Sequence, residues 1–425
     1  MDLTEQTPGD RETDQRAQWE EEIASVARVL QGLTDKHSLE PGHLTPAERD
    51  PSLTIEDMGA KVKIWKKLHS ILLPSIQDQL TLLLNSLDLI DPTKNPTPVT
   101  NPTLEILSNL DKTLESTVSA VVSLTLESPL PDEKHDHGLQ NLKVFRCSYL
   151  RKKIQRLLGH YIYAQLFPDR LTGFIRWCAI ANSNGENLPV LEEESDLRKR
   201  IEETISRSNK LIARTITWCR TPDWAVIDQA WIEASETLDH LLLVTSRTSR
   251  TIQSTPESDP DESSVIVAGR ELTVKVAKSA ISLVKLARIL VNKTSQEILK
   301  KVISTWGTTT LELNSEIIER LQQSPQFIDG LQRLSVLLRF LSCAPRELRF
   351  VHQHIHSSVQ DLPKDIESTL AVLDSVLIPL LDPIEHDSPE PCLKSFLPDL
   401  KQSWDTASRH LMGVISSFEI EHIAI

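Results

Sequence analysis

Glycine is scarce in this chain, 12 among 425 residues, and aromatic side chains make up only 4%. β-Branched runs with period-two alternation hardly occur, so a sheet has little raw material. Apolar stretches such as Leu80–Leu84 and Val376–Leu381 fall far short of the roughly 20 residues a membrane-crossing helix needs. The five cysteines, Cys147, Cys178, Cys219, Cys343 and Cys392, stand at wide, unequal intervals with no CxxC pair. They read as reduced, mostly buried thiols and exclude a disulfide frame or a cysteine zinc site. GxxxxGK[ST] and GxGxxG loops are absent, which removes those routes to nucleotide binding, and no GxSxG elbow marks a hydrolase. Neither a catalytic residue nor a cofactor is expected.

Positive charge is also in deficit: 46 Lys and Arg face 60 Asp and Glu, for a net charge of −14. Such a surface repels a phosphate backbone, so nucleic acid is an unfavourable partner. The opening MDLTEQTPGDRETDQRAQWEE is acidic and has no apolar core of a secretory signal. A soluble protein of the cytoplasm or nucleus is expected.

What the chain has in abundance is apolar residues at steps of three and four. Trp19, Ile23, Val26 and Leu30 open the pattern, with Gly32 placed to end a helix. Thr54 offers a capping hydroxyl to a stripe of Trp65, Leu68, Leu72, Ile76, Leu80 and Leu83, inside which Pro74 should produce a kink. Helix starts recur as Asn101-Pro102, Thr221-Pro222 and Ser324-Pro325, an oxygen-bearing cap followed by proline. Separate helices are expected from Leu139 to Phe167, around Leu171 to Ala181, from Pro345 to Val359 and from Pro363 to Leu381.

The class is therefore all-α: long amphipathic helices in two antiparallel bundles, with no sheet. Residues 1–13 read as a disordered tail, 14–190 as the first bundle and 191–425 as the second, the break falling at the turn-rich NSNGENLP. Residues 253–264, acidic and nearly free of apolar side chains, read as a disordered loop within the second bundle.

Two features carry chemistry. His352 and His356 share a helix face at i, i+4, the spacing used to chelate zinc, but no HExxH or CxxC supplies the remaining ligands. Solvated or interface histidines are the competing explanation. Lys143, Arg146, Arg151, Lys152, Lys153 and Arg156 form a basic face that could dock an acidic partner or an anionic membrane surface, or simply balance acidic neighbouring helices. His135, Asp136 and His137 lie in a polar loop. Trp65, flanked by lysines, falls on the apolar stripe and is expected in the core.

The runs IWKKLHSILLPSIQDQLTLLLNSLD (Ile64 to Asp88) and ISLVKLARILVNKTS (Ile281 to Ser295) resemble segments of a large, uncharacterised, all-helical family of rust fungi. That resemblance implies a fungal helical protein and brings no catalytic residue with it. More remotely, the long helices look like cyclin-D-binding and vinculin or catenin bundles, an analogy of fold that implies protein binding alone. The expected function is a non-enzymatic interaction or scaffold protein with a protein partner. The alternatives are an enzyme or ligand carrier with a pocket between helices, and a peripheral membrane or acidic-partner binder using residues 143–156.

Overall fold

A computed structural model describes residues 8–36, 47–90, 98–184, 188–251, 264–305, 313–343, 348–381 and 393–417. The protein is all-α. The one departure among the described residues is a two-residue parallel pair, β1 (Arg49–Asp50) against β2 (Leu130–Pro131), where no sheet was expected. It needs no β-rich sequence, because it only pins two connections together; Arg49 reinforces it with a 3.2 Å bond from Nη1 to the Pro131 carbonyl.

The chain divides into two compact units, Met1–Thr221 and Pro222–Ile425, and not at 190/191. The reason lies in α7 (Leu188–Arg220), whose apolar stripe of Ile201, Ile205, Ile212 and Cys219 is buried in the core of the first unit. A turn-rich segment marked a connection between helices, and the unit continues through it.

The first unit opens with α1 (Pro8–Lys36), so helix begins inside the expected tail and passes through Gly32 without stopping. Before α2 (Gly59–Lys67), Thr54 and Asp57 cap each other: the Thr54 backbone N–H donates to Asp57 Oδ2 at 3.0 Å, and the Asp57 N–H to Thr54 Oγ1 at 3.4 Å. The Pro74 defect is a π-helical turn, Leu68–Leu72, where the Leu73 N–H reaches back to the Leu68 carbonyl. Widening the helix there relieves the clash between the proline ring and the preceding turn, and the stripe continues into α3 (Leu73–Ser86). α3 ends on Asp88, at φ 53, with Leu89 N–H bonded to the Leu84 carbonyl and Asp88 N–H to that of Asn85. This returns the chain to α4 (Thr100–Thr125), antiparallel to α3, with Gln79 bonded to Thr113 and Thr103 to Ser86. A 3-10 stretch, Asp136–Leu142, leads to α5 (Val144–Gln155), a wide π segment Arg156–Leu171 and α6 (Thr172–Asn184). Helix is continuous there through Pro168, where a break after Phe167 was expected.

The second unit starts at the expected Thr-Pro signal. α8 (Asp223–Thr251) runs antiparallel to α9 (Ser264–Thr305), held by Ser235 to Asn292 at 2.7 Å, Ser295 to Asp228 at 3.0 Å and Arg288 to Asp239 at 2.7 Å. Residues 253–263 of the expected acidic loop lie outside the described residues, and Ser264 already belongs to α9. α10 (Ser315–Gln323) is capped by Asn314, whose side chain accepts from the Ile317 N–H at 2.9 Å. A 3-10 turn, Ser324–Phe327, then feeds α11 (Ile328–Cys343). α12 (Leu348–Val372) runs through Pro363 as one helix instead of two. A π turn, Leu373–Leu377, precedes Pro379 in α13 (Ile378–Leu381), repeating the device seen before Pro74. α14 (Leu393–Ser416) lies antiparallel on α12, with His352 against Ile415 and Lys401 paired to Glu367. Trp231 and Trp404 are fully buried here; the Trp231 indole donates to the Leu321 carbonyl at 3.1 Å and Phe327 meets Trp404 edge-on.

Candidate functional site

The structure breaks up the basic helix that the sequence presents as a face. At about 100° per residue, positions 143, 146, 151, 152, 153 and 156 spread around the helix instead of lining one side. Lys143 and Arg146 are each only 1% exposed, while Lys152 and Arg156 face solvent and Arg151 and Lys153 are half-buried. Arg146 closes the C-terminal end of α7: Nη2 donates to the Thr221 carbonyl at 2.6 Å and Nη1 to that of Trp218 at 3.3 Å, with the guanidinium 5.2 Å from the Trp218 ring centre. Tyr149 also stacks on Trp218, with ring centres 4.5 Å apart, and is itself covered by Lys153 at 4.9 Å.

Two further charged groups sit at helix ends with the sign that the backbone dipoles favour. Buried Asp136 accepts from the Val144 N–H at the start of α5, 2.8 Å away, and buried Lys61 donates to the Glu127 carbonyl just past α4, at 2.6 Å. Trp65 is buried beside Trp218, as its place on the stripe predicts. Burial pushes the Lys61 ammonium below the usual lysine range, and pushes the Cys147 and Cys219 thiols up to about 12. Those thiols are therefore poor nucleophiles. This part of the molecule is interior architecture, and only four of the six expected cations are left to meet a partner.

The histidines are placed no more favourably. His352 Nε2 is 3.1 Å from the Ile415 carbonyl, His354 Nδ1 is 2.8 Å from that of Phe350 with the two rings 4.1 Å apart, and His356 is half-buried on the same helix. Among the described residues, no three His, Cys, Asp or Glu side chains gather where a metal could be held. A metal bound through His352 Nε2 would have to displace its bond to α14.

A different surface stands out in the second unit. A cleft of about 380 Å³ opens where α10, the 3-10 turn and α11 pass α12, lined among others by Arg320, Arg333, Asp329, Asp365 and Phe327. Thr369 Oγ1 donates to the Ser324 carbonyl at 2.6 Å and ties its floor together. Close packing of α11 on α12 sets the depth: a methyl group on Gly330 would stand 2.7 Å from Leu362 Cδ2. Asp329 and Arg333 are exposed, and on the same face of α11 follow Val336, 64% exposed, and Phe340, 46% exposed. The positions step by four, three and four, one stripe of a helix.

Residues 61–220 match a domain of unknown function, DUF8723, and residues 222–413 match another, DUF8721. The two ranges meet where the structure divides. The DUF8723 range contains the Arg146 and Lys61 latches, and the DUF8721 range contains the cleft and the α11 stripe. No curated protein matches the sequence. The sequence offers no signal for the stripe on α11, because apolar residues run around most of that helix and its periodicity does not single out an exposed arc.

Proposed function

We propose that this protein is a non-enzymatic interaction or scaffold protein that offers helical surfaces to a protein partner. The observation that carries the reading is the exposure of Val336 and Phe340, one turn apart on α11, where most of the large apolar side chains among the described residues are buried. Phe350, at the start of α12, is also 53% exposed. Large apolar groups left in water at helical spacing suit a surface that another protein covers. The remote analogy of fold to cyclin-D-binding and vinculin or catenin bundles adds weight to binding and names no partner. No helix among the described residues is long and apolar enough to cross a membrane.

The test is a quantitative pull-down from the source cell with the full chain and with a Val336→Asp/Phe340→Asp variant. The proposal expects a protein enriched by the native chain and lost with the variant. If nothing is enriched above background by the native chain, the reading falls.

A further inference from the structure

The cleft in the second unit is polar, and its charges are sorted by level. Arg320 Nη2 meets Ser375 Oγ at 3.5 Å, and the Ser324 carbonyl meets Thr369 Oγ1 at 2.6 Å. Further on, Asp365 Oδ2 and Arg333 Nη2 lie 3.4 and 3.8 Å from the point where a Cβ on Gly330 would stand. One wall therefore runs from Arg320 to Arg333 while the other runs back from Ser375 to Asp365. Of the charged groups lining the cleft, two carboxylates, Asp329 and Asp365, and one guanidinium, Arg333, gather at the α11 end; Arg320 stands alone at the other. Among the described residues none of these four groups has an ion-pair partner within 4.0 Å. The Asp365 carboxyl is held above the usual carboxylate range, first by burial and then by Asp361, against the opposing pull of Arg333 and Lys364. An ammonium suits that end, and a carboxylate suits the planar fork of Arg320.

Length selects among ligands that carry both charges. Asp365 and Ser375 are separated by about 15 Å along α12 and the π turn, at about 1.5 Å per residue. A peptide of three residues spans about 10 Å when extended, and a hydrogen bond at each end adds about 3 Å. Ser368 and Gln326 line the walls with a hydroxyl and an amide, groups that pair with a peptide backbone. The cleft volume of about 380 Å³ is that of a small-ligand site. We infer that this cleft binds a short zwitterionic peptide of about three residues, its ammonium between Asp329 and Asp365 and its carboxylate on Arg320. The site is distinct from the apolar stripe on α11, and its occupancy is independent of the protein-interaction reading.

Binding of trialanine to the full chain, followed by saturation-transfer NMR at the peptide methyl groups, tests this. A ligand of that size held at the usual efficiency of small ligands has a dissociation constant of about 0.3 mM. N-Acetylation, which removes the ammonium, and C-terminal amidation, which removes the carboxylate, should each weaken binding to the native chain by about tenfold or more. Asp329→Asn/Asp365→Asn should weaken trialanine by about as much, and in that variant acetylation should cost nothing further. Arg320→Gln should weaken it likewise and make amidation harmless. No binding up to about 10 mM overturns the inference, as do capped peptides that bind the native chain as well as the free one. Variants in which each cap still exacts its full loss also overturn it, because the peptide ends would then be recognised elsewhere.

Discussion

Arg146 offers the sharpest test of why the first unit holds together. Its guanidinium is buried and engages the last turn of α7 through the Trp218 and Thr221 carbonyls, while its flat face lies over Trp218. The Trp218 carbonyl also accepts the Thr221 N–H at 3.1 Å, so removing Arg146 leaves it a partner. The Thr221 carbonyl loses its 2.6 Å bond, a charge-assisted one. Such a bond contributes about 1.5–3 kcal/mol, and because Thr221 is half-buried, water can replace part of what its carbonyl loses, which places the cost toward the lower end. The cation over the indole contributes about 1 kcal/mol more. Against these stands the relief of no longer burying a charge, which offsets part of the total. Arg146→Met, which keeps apolar bulk in place, should therefore destabilise the unit by about 2 kcal/mol. Arg146→Ala adds an unfilled space and should cost about 4 kcal/mol.

Urea unfolding of the full chain followed by tryptophan fluorescence is the appropriate assay, with hydrogen exchange at the end of α7 to place the loss. The two units are free to unfold in separate steps, so each transition is fitted by itself. Arg146→Lys should recover part of the Met deficit, since an ammonium can donate to a carbonyl but cannot span two. If Arg146→Ala unfolds within about 0.5 kcal/mol of the native chain, the latch contributes nothing and the reasoning is refuted. If Met and Ala are equally damaging, the loss comes from the charge alone and the packing half of the argument is wrong.

Lys61 carries a pH signature. Its folded value is depressed by burial below the ordinary 10.5, so the unfolded chain holds this proton more tightly. This group's contribution is unfavourable below the folded value and is relieved as pH rises through it, so stability from Lys61 increases with pH up to the ordinary lysine range. Comparing native and Lys61→Met chains by urea unfolding from about pH 8 to about pH 10.4, the difference should move in favour of the native chain; a flat difference would contradict the assignment. Gly32 gives a test of sign. It lies inside α1 with open space where a Cβ would go, so Gly32→Ala should stabilise α1 by about 0.5–1 kcal/mol in thermal unfolding. A loss of stability would mean that the helix ends there after all.

Much of the fold was legible because helix boundaries are written in local chemistry. Thr221 and Pro222 open α8, Ser324 and Pro325 open the turn into α11, and Trp65 is buried where its stripe put it. These signals need only neighbouring residues. What the sequence could not supply was which partner a charged side chain meets across the bundle. Arg146 and Lys61 look like surface cations until α7 and the end of α4 are placed beside them. The boundary at 190/191 failed for a related reason: loop composition shows where a helix stops, whereas the core that the next helix joins is a long-range property.

The α11 surface was hidden in a different way. Its sequence, IDGLQRLSVLLRFLSC, carries apolar residues around most of the helix, so periodicity alone does not say which arc is inside. The buried arc proves to be Ile328, Gly330, Leu331, Leu334, Ser335, Leu338 and Leu341, set by packing that includes Gly330 against Leu362. With that arc spent, Val336 and Phe340 are surplus to the core. A helix needs only one apolar stripe to fold against its own bundle. The second stripe on α11, like the exposed pair Leu299 and Ile303 one turn apart on α9, is apolar surface that self-packing leaves unexplained and that a protein partner would explain.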